Sequence, residues 1–86
     1  MNISRTLHLP EDVVKKYSII NILGNHTMVI ENFKAIMEYR SDYIKIKAKD
    51  KIISVYGTKI IIEYYNTEEI KISGNMNQIF FEVSGD

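Results

Sequence analysis

Four lysines at alternate positions are the side chains in this sequence that are best spaced to bind an anion. They are Lys45, Lys47, Lys49 and Lys51. The first two share the outward face of one predicted strand, the other two flank a predicted turn at Asp50, and Tyr43 and Tyr56 lie nearby in the sequence. Lysines among aromatic rings on a strand face are typical of surfaces that bind single-stranded nucleic acid. Lysine also commonly guards a strand edge against unwanted pairing. We favour that role, so a nucleic acid or an anionic surface is the alternative partner and not the expected one.

The remaining chemically capable side chains do not form a recognisable catalytic or metal site. His8 and His26 are the only histidines, and neither has a ligand or a catalytic neighbour at useful spacing. A zinc site would need more ligands than these two supply, and the chain has no cysteine to complete one. The glutamates fall mostly on the polar phase of predicted strands, and nothing holds two of them at the defined separation that acid–base catalysis needs. We therefore expect no catalytic residues, no metal and no cofactor.

Composition limits the class of partner and the compartment. Eleven basic residues balance eleven acidic ones, so the chain has no overall field that would attract polyanions. The longest apolar runs contain three residues, which is too short to span a membrane, and the N-terminus lacks the apolar region of a signal peptide. We therefore expect a cytoplasmic protein. A chain of 86 residues has room for one small core, so self-association would stabilise it.

Alternation of apolar and polar residues predicts an all-β domain. In the clearest segment, Ile44, Ile46 and Ala48 lie on one face of a strand and the lysines lie on the other. Sixteen isoleucines against three leucines also favour strands. The predicted strands are 18–23, 27–31, 35–39, 43–48, 51–56, 59–65, 69–73 and 78–83. We therefore expect about eight short, mainly antiparallel strands in a meander, a sandwich or a roll, with glycines at several of the turns.

The N-terminal region is predicted to contain a tail and one short helix. Pro10 is favoured at the first position of a helix, two acidic residues follow it, and two lysines precede Tyr17. A helix of this length is unstable in water, so it must dock on the sheet. The predicted organisation is a tail at 1–9 and a single β domain at 10–86 that includes the helix at about 10–17.

Several predicted strands carry apolar residues on both faces. In the segment 59–65, Ile60, Ile62 and Tyr64 are predicted to share one face, while Ile61 and Tyr65 share the other. A single sheet with one wet face would not show this pattern. Either the sheet folds over so that both faces are covered, or the second face binds a partner. The candidates for such an interaction surface are Ile52, Ile61, Tyr65 and Phe80.

The order and spacing of six short segments resemble the YabP/YqfC family of bacterial sporulation proteins, and the YqfC branch more closely. The segments are Leu9-Pro10-Glu11-Asp12-Val13, Leu23-Gly24-Asn25, Ile30-Glu31-Asn32, the run from Val55 to Ile62, the run from Glu68 to Gly74, and Ile79-Phe80-Phe81. The resemblance implies a protein made in the mother cell of a spore-forming bacterium, needed for spore formation and without enzymatic activity. It further implies a membrane-protein partner of the YqfD type, and therefore work at a membrane surface.

Two hypotheses follow from these observations. The first is a non-enzymatic structural, assembly or adaptor module that binds copies of itself or a membrane protein through its second apolar face. The second is a β domain that binds an anionic surface or single-stranded nucleic acid through the four lysines, with the strong salt dependence expected of such binding.

Overall fold

The computed structural model describes residues 17–83, which form one antiparallel sheet of six strands. The strands are β1 (Ile19–Leu23), β2 (Thr27–Glu31), β3 (Phe33–Arg40), β4 (Tyr43–Ala48), β5 (Lys51–Tyr65) and β6 (Glu69–Val83). Across the sheet their order is β1-β2-β6-β5-β4-β3, so the long β5–β6 hairpin is central and a short hairpin flanks each side. The prediction of an all-β, antiparallel domain is confirmed. The predicted tail and nearly all of the predicted helix at about 10–17 lie outside the described residues.

The prediction of about eight strands is wrong, because two pairs of predicted strands are each one continuous strand. The segments 51–56 and 59–65 are joined in β5, and the segments 69–73 and 78–83 are joined in β6. Pairing between β5 and β6 continues past the intervening residues with shifts of register, as between Tyr56 and Gly57. The glycines that separate the segments therefore mark bends within strands and not turns between them.

Close approach of β5 and β6 explains why glycines stand at these bends. A Cβ at Gly57 would lie 1.8 Å from the carbonyl oxygen of Asn75, and a Cβ at Gly74 would lie 2.6 Å from the carbonyl oxygen of Lys59. Gly74 also has a φ of 140°, and Lys59 has a φ of 55°. Any larger residue at either glycine would push the two backbones apart, so these positions set the bend.

The bends fold the sheet into two layers. Layer A contains β1, β2, residues 69–73 of β6 and residues 60–65 of β5, and layer B contains β3, β4, residues 51–56 of β5 and residues 78–83 of β6. A single open sheet would leave its apolar face in water. The inward side chains of both layers are instead buried in one continuous cluster, so the layers cover each other as a small sandwich.

One hydrophobic core lies between the two layers. Its members are Met28, Ile30, Ile70 and Ile72 from layer A, Ile44, Ile46, Ala48, Ile53 and Val55 from layer B, and Ile60 and Met76 next to the bends. Each fully buried isoleucine contributes about 1.5 to 3 kcal/mol relative to an exposed one. The alternation that predicted Ile44, Ile46 and Ala48 on an inner face is confirmed.

The turns of the two short hairpins bind the bends of the long one. In the β1–β2 hairpin, Leu23 pairs with Thr27 across a three-residue loop, and the carbonyl of His26 accepts a hydrogen bond from the N–H of Gly74 at 3.1 Å. On the other side, the carbonyl of Ser41 in the β3–β4 turn accepts one from the N–H of Ile60 at 2.8 Å. Each short hairpin is thereby fixed to the bend beside it.

Candidate interaction surface

The outer face of layer B carries a row of aromatic rings that crosses three strands. The Tyr43 and Tyr56 ring centroids are 4.6 Å apart, and the Tyr56 and Phe80 centroids are 5.8 Å apart in an edge-to-face arrangement. The guanidinium of Arg40 lies 5.2 Å from the centroid of Tyr43 and extends the row to β3. Such edge-to-face and cation–π contacts are favourable. The row is therefore an ordered surface.

Strand register explains why these residues meet. Arg40 pairs with Tyr43, and Tyr43 pairs with Tyr56. Phe80 pairs with Ser54, which shares the outer face with Tyr56. Because directly paired residues in an antiparallel sheet point to the same face, the pairing of β3 with β4, of β4 with β5 and of β5 with β6 brings their outward side chains together here. We call this the aromatic face. It consists of Arg40, Tyr43, Lys45, Lys47, Ile52, Tyr56 and Phe80.

Solvent reaches one end of the row much more than the other. Tyr43 is only 7% exposed although it lies on the outer face, where the Tyr56 ring and the Arg40 guanidinium lie against it. Tyr56 is 40% exposed and Phe80 is 52% exposed. The buried core contains inward residues, and neither Tyr56 nor Phe80 belongs to it. The core is complete without these two rings, so they are available to a partner.

The predicted lysine cluster is divided by the structure. Lys45 pairs with Ser54, and Lys47 pairs with Ile52, so both lie on the aromatic face. Lys49 lies in the turn between β4 and β5, where its N–H donates to the carbonyl of Asn32 at 3.2 Å. The register of β5 places Lys51 on the opposite side from Ile52. Two of the four lysines therefore share a surface with the aromatic rings. Two acidic residues lie on it as well, because Glu38 pairs with Lys45 and Glu82 pairs with Ile52.

Lys51 belongs to a network that fixes the start of β1 to the start of β5. Its ammonium lies 2.6 Å from the Asp50 carboxylate and donates to the Ser18 hydroxyl at 3.1 Å. The same carboxylate accepts hydrogen bonds from the Ser18 N–H at 3.1 Å and from its hydroxyl at 2.7 Å. Burial raises the pKa of Asp50, but the hydrogen bonds from Lys51 and Ser18 outweigh it, so the net pKa lies below the usual value. The ammonium of Lys51 is thus already engaged within the protein.

The four residues predicted to form one interaction surface lie in three places. Ile52 and Phe80 share the aromatic face. Ile61 pairs with Ser73 on the outer face of layer A and is 49% exposed. Tyr65 lies at the end of β5, pairs with the inward Ile70 and is 61% exposed. The prediction that it shares a face with Ile61 is wrong, because the shift of register between Ile62 and Tyr64 reverses the alternation. The structure therefore separates Ile61 and Tyr65 from the other two.

The outer face of layer A is acidic and differs in character from the aromatic face. The hydroxyl of Ser73 donates to the Glu63 carboxylate at 2.7 Å, and the hydroxyl of Tyr64 donates to the Glu69 carboxylate at 2.6 Å. The bond to Glu69 raises the pKa of Tyr64. Glu63 and Glu69 therefore lie on layer A, whereas Lys45 and Lys47 lie on layer B. Their carboxylates are engaged by neighbouring hydroxyls there.

The two histidines considered as possible metal ligands do not form a site in the described structure. His26 lies in the β1–β2 loop, where its backbone carbonyl is used, and His8 lies outside the described residues. Among residues 17–83, no three His, Asp or Glu side chains are grouped so that they could hold a metal ion. Over the same range, the structure contains no helix with the length and apolar character needed to cross a bilayer.

Arg40 belongs to the surface, although the sequence pattern does not indicate it. It lies between the predicted strands 35–39 and 43–48, whereas the structure makes it the last residue of β3, directly paired with Tyr43. Tyr43 and Tyr56 were noted only as neighbours of the lysines. The alternation of Tyr43 and Tyr56 with buried Ile44 and Val55 was a signal that both face outward, but only the register shows that they meet.

Comparison with known proteins places the chain in a family. The family model described as the YabP family matches residues 14–86, which includes every strand of the structure. The chain belongs to the YabP family. No curated protein and no solved structure matches it. The YabP/YqfC resemblance is therefore confirmed, while assignment to the YqfC branch stays a prediction, because the YabP match does not separate the branches. Membership of the YabP family is compatible with a role in sporulation.

Proposed function

We propose that this YabP family protein is a non-enzymatic assembly or adaptor module of bacterial spore formation, which acts through its aromatic face. In this proposal it works in the cytoplasm of the mother cell, at a membrane surface, and binds a membrane protein of the YqfD type as well as copies of itself. Family membership supports the link to sporulation. The aromatic face supports the mode of action.

The exposed pair Tyr56 and Phe80 is the observation that carries the proposal. Tyrosine and arginine are enriched among the residues that dominate binding energy, and such residues gather near the centre of an interface. On the aromatic face, Tyr56 has Tyr43 on one side and Phe80 on the other, and Ile52 lies on the same face. The charged residues Lys45 and Lys47 border this apolar centre. An apolar centre with a polar rim is the usual anatomy of a protein interface.

Matched substitutions on the two outer faces test the proposal. Tyr56 is 40% exposed and Tyr64 is 43% exposed, so Tyr56→Asp and Tyr64→Asp alter similar side chains on different layers. Tagged versions would be purified from sporulating cells and the recovery of the YqfD-type membrane protein measured. We expect Tyr64→Asp to retain the partner, and Tyr56→Asp to lose affinity by about 30-fold, as for a residue that dominates an interface. Normal recovery with folded Tyr56→Asp protein would contradict the proposal.

A second candidate function is supported by the positions of three basic residues. Arg40, Lys45 and Lys47 share the aromatic face with Tyr56 and Phe80, and basic side chains beside stacked rings suit single-stranded nucleic acid. The acidic side chains of Glu38 and Glu82 beside them weaken this candidate. Binding of a single-stranded oligonucleotide or of anionic vesicles at low salt, lost in a Lys45→Ala, Lys47→Ala double variant, would favour it. Absence of binding at low salt would remove it.

A further inference from the structure

The edges of the described sheet differ in how they are protected against pairing with another chain. Natural proteins protect edges by short strands, charged side chains and bulges. The edge strand β1 has only five residues. The edge strand β3 carries Lys34, Glu38 and Arg40 and has two shifts of register. Both outermost strands therefore have recognised protection.

The two layers create two more edges, because β2 and β4 each cover only half of a long strand. β2 pairs with residues 69–73 of β6, and β4 pairs with residues 52–56 of β5. In layer A, the free edge of β5 carries Glu63 and a shift of register between Ile62 and Tyr64. In layer B, residues 78–83 of β6 pair with β5 on one side, and no strand within the described part of the chain pairs with the other side.

The β6 edge at 78–83 has none of these protections except one acidic residue. Its pairing with β5 runs from Gln78 to Val83 without a shift of register. Glu82 is the only charged residue in the segment, and there is no proline. Phe80 and Phe81 are 52% and 53% exposed and project to opposite faces. An edge with no shift of register, a single charged residue and exposed aromatic rings is suited to pairing with another strand.

The segment is also complementary to itself in one register. If two copies pair antiparallel about a two-fold axis at Phe80, then Phe80 lies opposite Phe80 of the other copy. On the same outer face, Gln78 lies opposite Glu82, and on the inner face Ile79 lies opposite Phe81. Aromatic and aromatic–aliphatic pairs are favourable across strands, and no like charges are opposed. An isologous interface needs this property, since the same patch serves both partners.

We propose that two copies of this protein pair through the free edge of β6 at residues 78–83, which joins their two layers B into one continuous sheet. The register is centred on Phe80. The pairing places the two aromatic faces side by side on the same side of that sheet. It deepens the assembly role proposed above and rests on it, since it names the second copy of the chain as one partner.

Cysteine substitution tests this register in the full-length protein, because the chain has no cysteine of its own. Under mild oxidation, we expect Phe80→Cys to form a disulfide-linked dimer, since residues opposed across strands have Cβ atoms close to the separation that a disulfide needs. Ile79→Cys alone should link poorly, but should link efficiently when mixed with Phe81→Cys. Glu63→Cys, on the protected edge of β5, is the control and should stay monomeric. Far-UV circular dichroism would verify that each variant is folded.

A second test of the register changes the charge at position 78 and leaves Phe80 unchanged. Gln78→Glu places glutamates opposite each other twice in the dimer, whereas Gln78→Lys places a lysine opposite Glu82. The dimer dissociation constant, measured by sedimentation, should be larger for Gln78→Glu than for Gln78→Lys by about 2- to 30-fold, from two cross-strand pairs.

Equal linkage at 63 and 80, or equal dissociation constants for the two Gln78 variants, would overturn the edge pairing. Cross-linking and dimer dissociation test the edge pairing, whereas recovery of the membrane protein tests the proposed function. If Phe80→Cys fails to cross-link but Tyr56→Asp still loses the membrane protein, only the edge pairing is wrong.

Discussion

The backbone at Gly57 lies so close to Asn75 that a side chain at 57 would meet the carbonyl oxygen of Asn75 at 1.8 Å from its Cβ. This contact lies where β5 and β6 bend together and the sheet divides into its two layers. The position of the aromatic face depends on the bend, because the bend leaves residues 78–83 of β6 in layer B beside Tyr56. Gly57 is therefore a determinant of the surface as well as of the fold.

Gly57→Ala should destabilise the protein strongly. Insertion of a methyl group against a backbone that cannot move costs at the upper end of the range for overpacking, about 3 kcal/mol. Urea denaturation would measure the loss. Gly24→Ala is the control, because a Cβ there has no neighbour closer than 3.8 Å and only the φ of 60° is unfavourable. It should cost about 1 to 2 kcal/mol. Equal losses for the two variants would contradict the close approach at Gly57.

Adjacent isoleucines in β5 should respond very differently to truncation. Ile60 is 1% exposed and belongs to the core, whereas Ile61 is 49% exposed on the outer face of layer A. Ile60→Ala should cost about 2 to 5 kcal/mol, from lost burial and a cavity. Ile61→Ala should cost less than about 1 kcal/mol, as surface changes usually do. Chemical denaturation of both variants checks the assignment of faces, and a reversed order would show that the register of β5 is wrong.

Removal of the Asp50 carboxylate should weaken the attachment of β1. Asp50→Asn loses the ion pair with Lys51 and the charge-assisted bonds from Ser18, and we expect a loss of about 1 to 3 kcal/mol at neutral pH. Ser41→Ala, in a turn where the described hydrogen bond uses only the backbone carbonyl, should leave stability nearly unchanged and is the control.

The contribution of Asp50 should depend on pH in a defined direction. Because its pKa is lowered in the folded protein, the ionised form stabilises the fold, and this contribution is complete above the ordinary value of 3.8. It should be lost as the pH falls through the lowered pKa of the folded state. The difference in unfolding free energy between the wild type and Asp50→Asn should therefore shrink below about pH 4. A difference that grows on acidification would contradict the network.

Tyr64 should titrate above its ordinary pKa of 10.0 because it donates to Glu69. Loss of its proton would remove that hydrogen bond and place two negative charges together. NMR titration of the Tyr64 ring would show the raised pKa, and Glu69→Gln should lower it. If Glu69→Gln leaves the pKa of Tyr64 unchanged, the two side chains do not meet in solution.

Local alternation was sufficient to predict the fold class and most of the inner face. Ile44, Ile46 and Ala48 are buried as the period of two requires. The bends were not predictable in the same way. The sequence does not distinguish a glycine that permits two backbones to approach, such as Gly57, from a glycine in a turn. The two long strands therefore appeared as four.

The candidate site depends on strand order and register, which the local sequence pattern does not show. Tyr56 and Phe80 lie far from Arg40 and Tyr43 in the chain, and all four meet only because of the pairing of β3, β4, β5 and β6. The sequence also does not distinguish the role of Lys51 from that of Lys45. Lys51 differs because it binds Ser18, which directly precedes β1. Strand order is a property of the whole sheet.

The count of heat-resistant spores tests the central proposal most directly. The proposal requires a spore-forming bacterium, and such a host would carry wild type, Tyr56→Asp or Tyr64→Asp as its only copy of the protein, at equal protein levels. If the aromatic face is the working surface, Tyr56→Asp should reduce the count severely, and Tyr64→Asp should leave it near the wild-type value. Normal sporulation with Tyr56→Asp, or an equal defect in both variants, would contradict it.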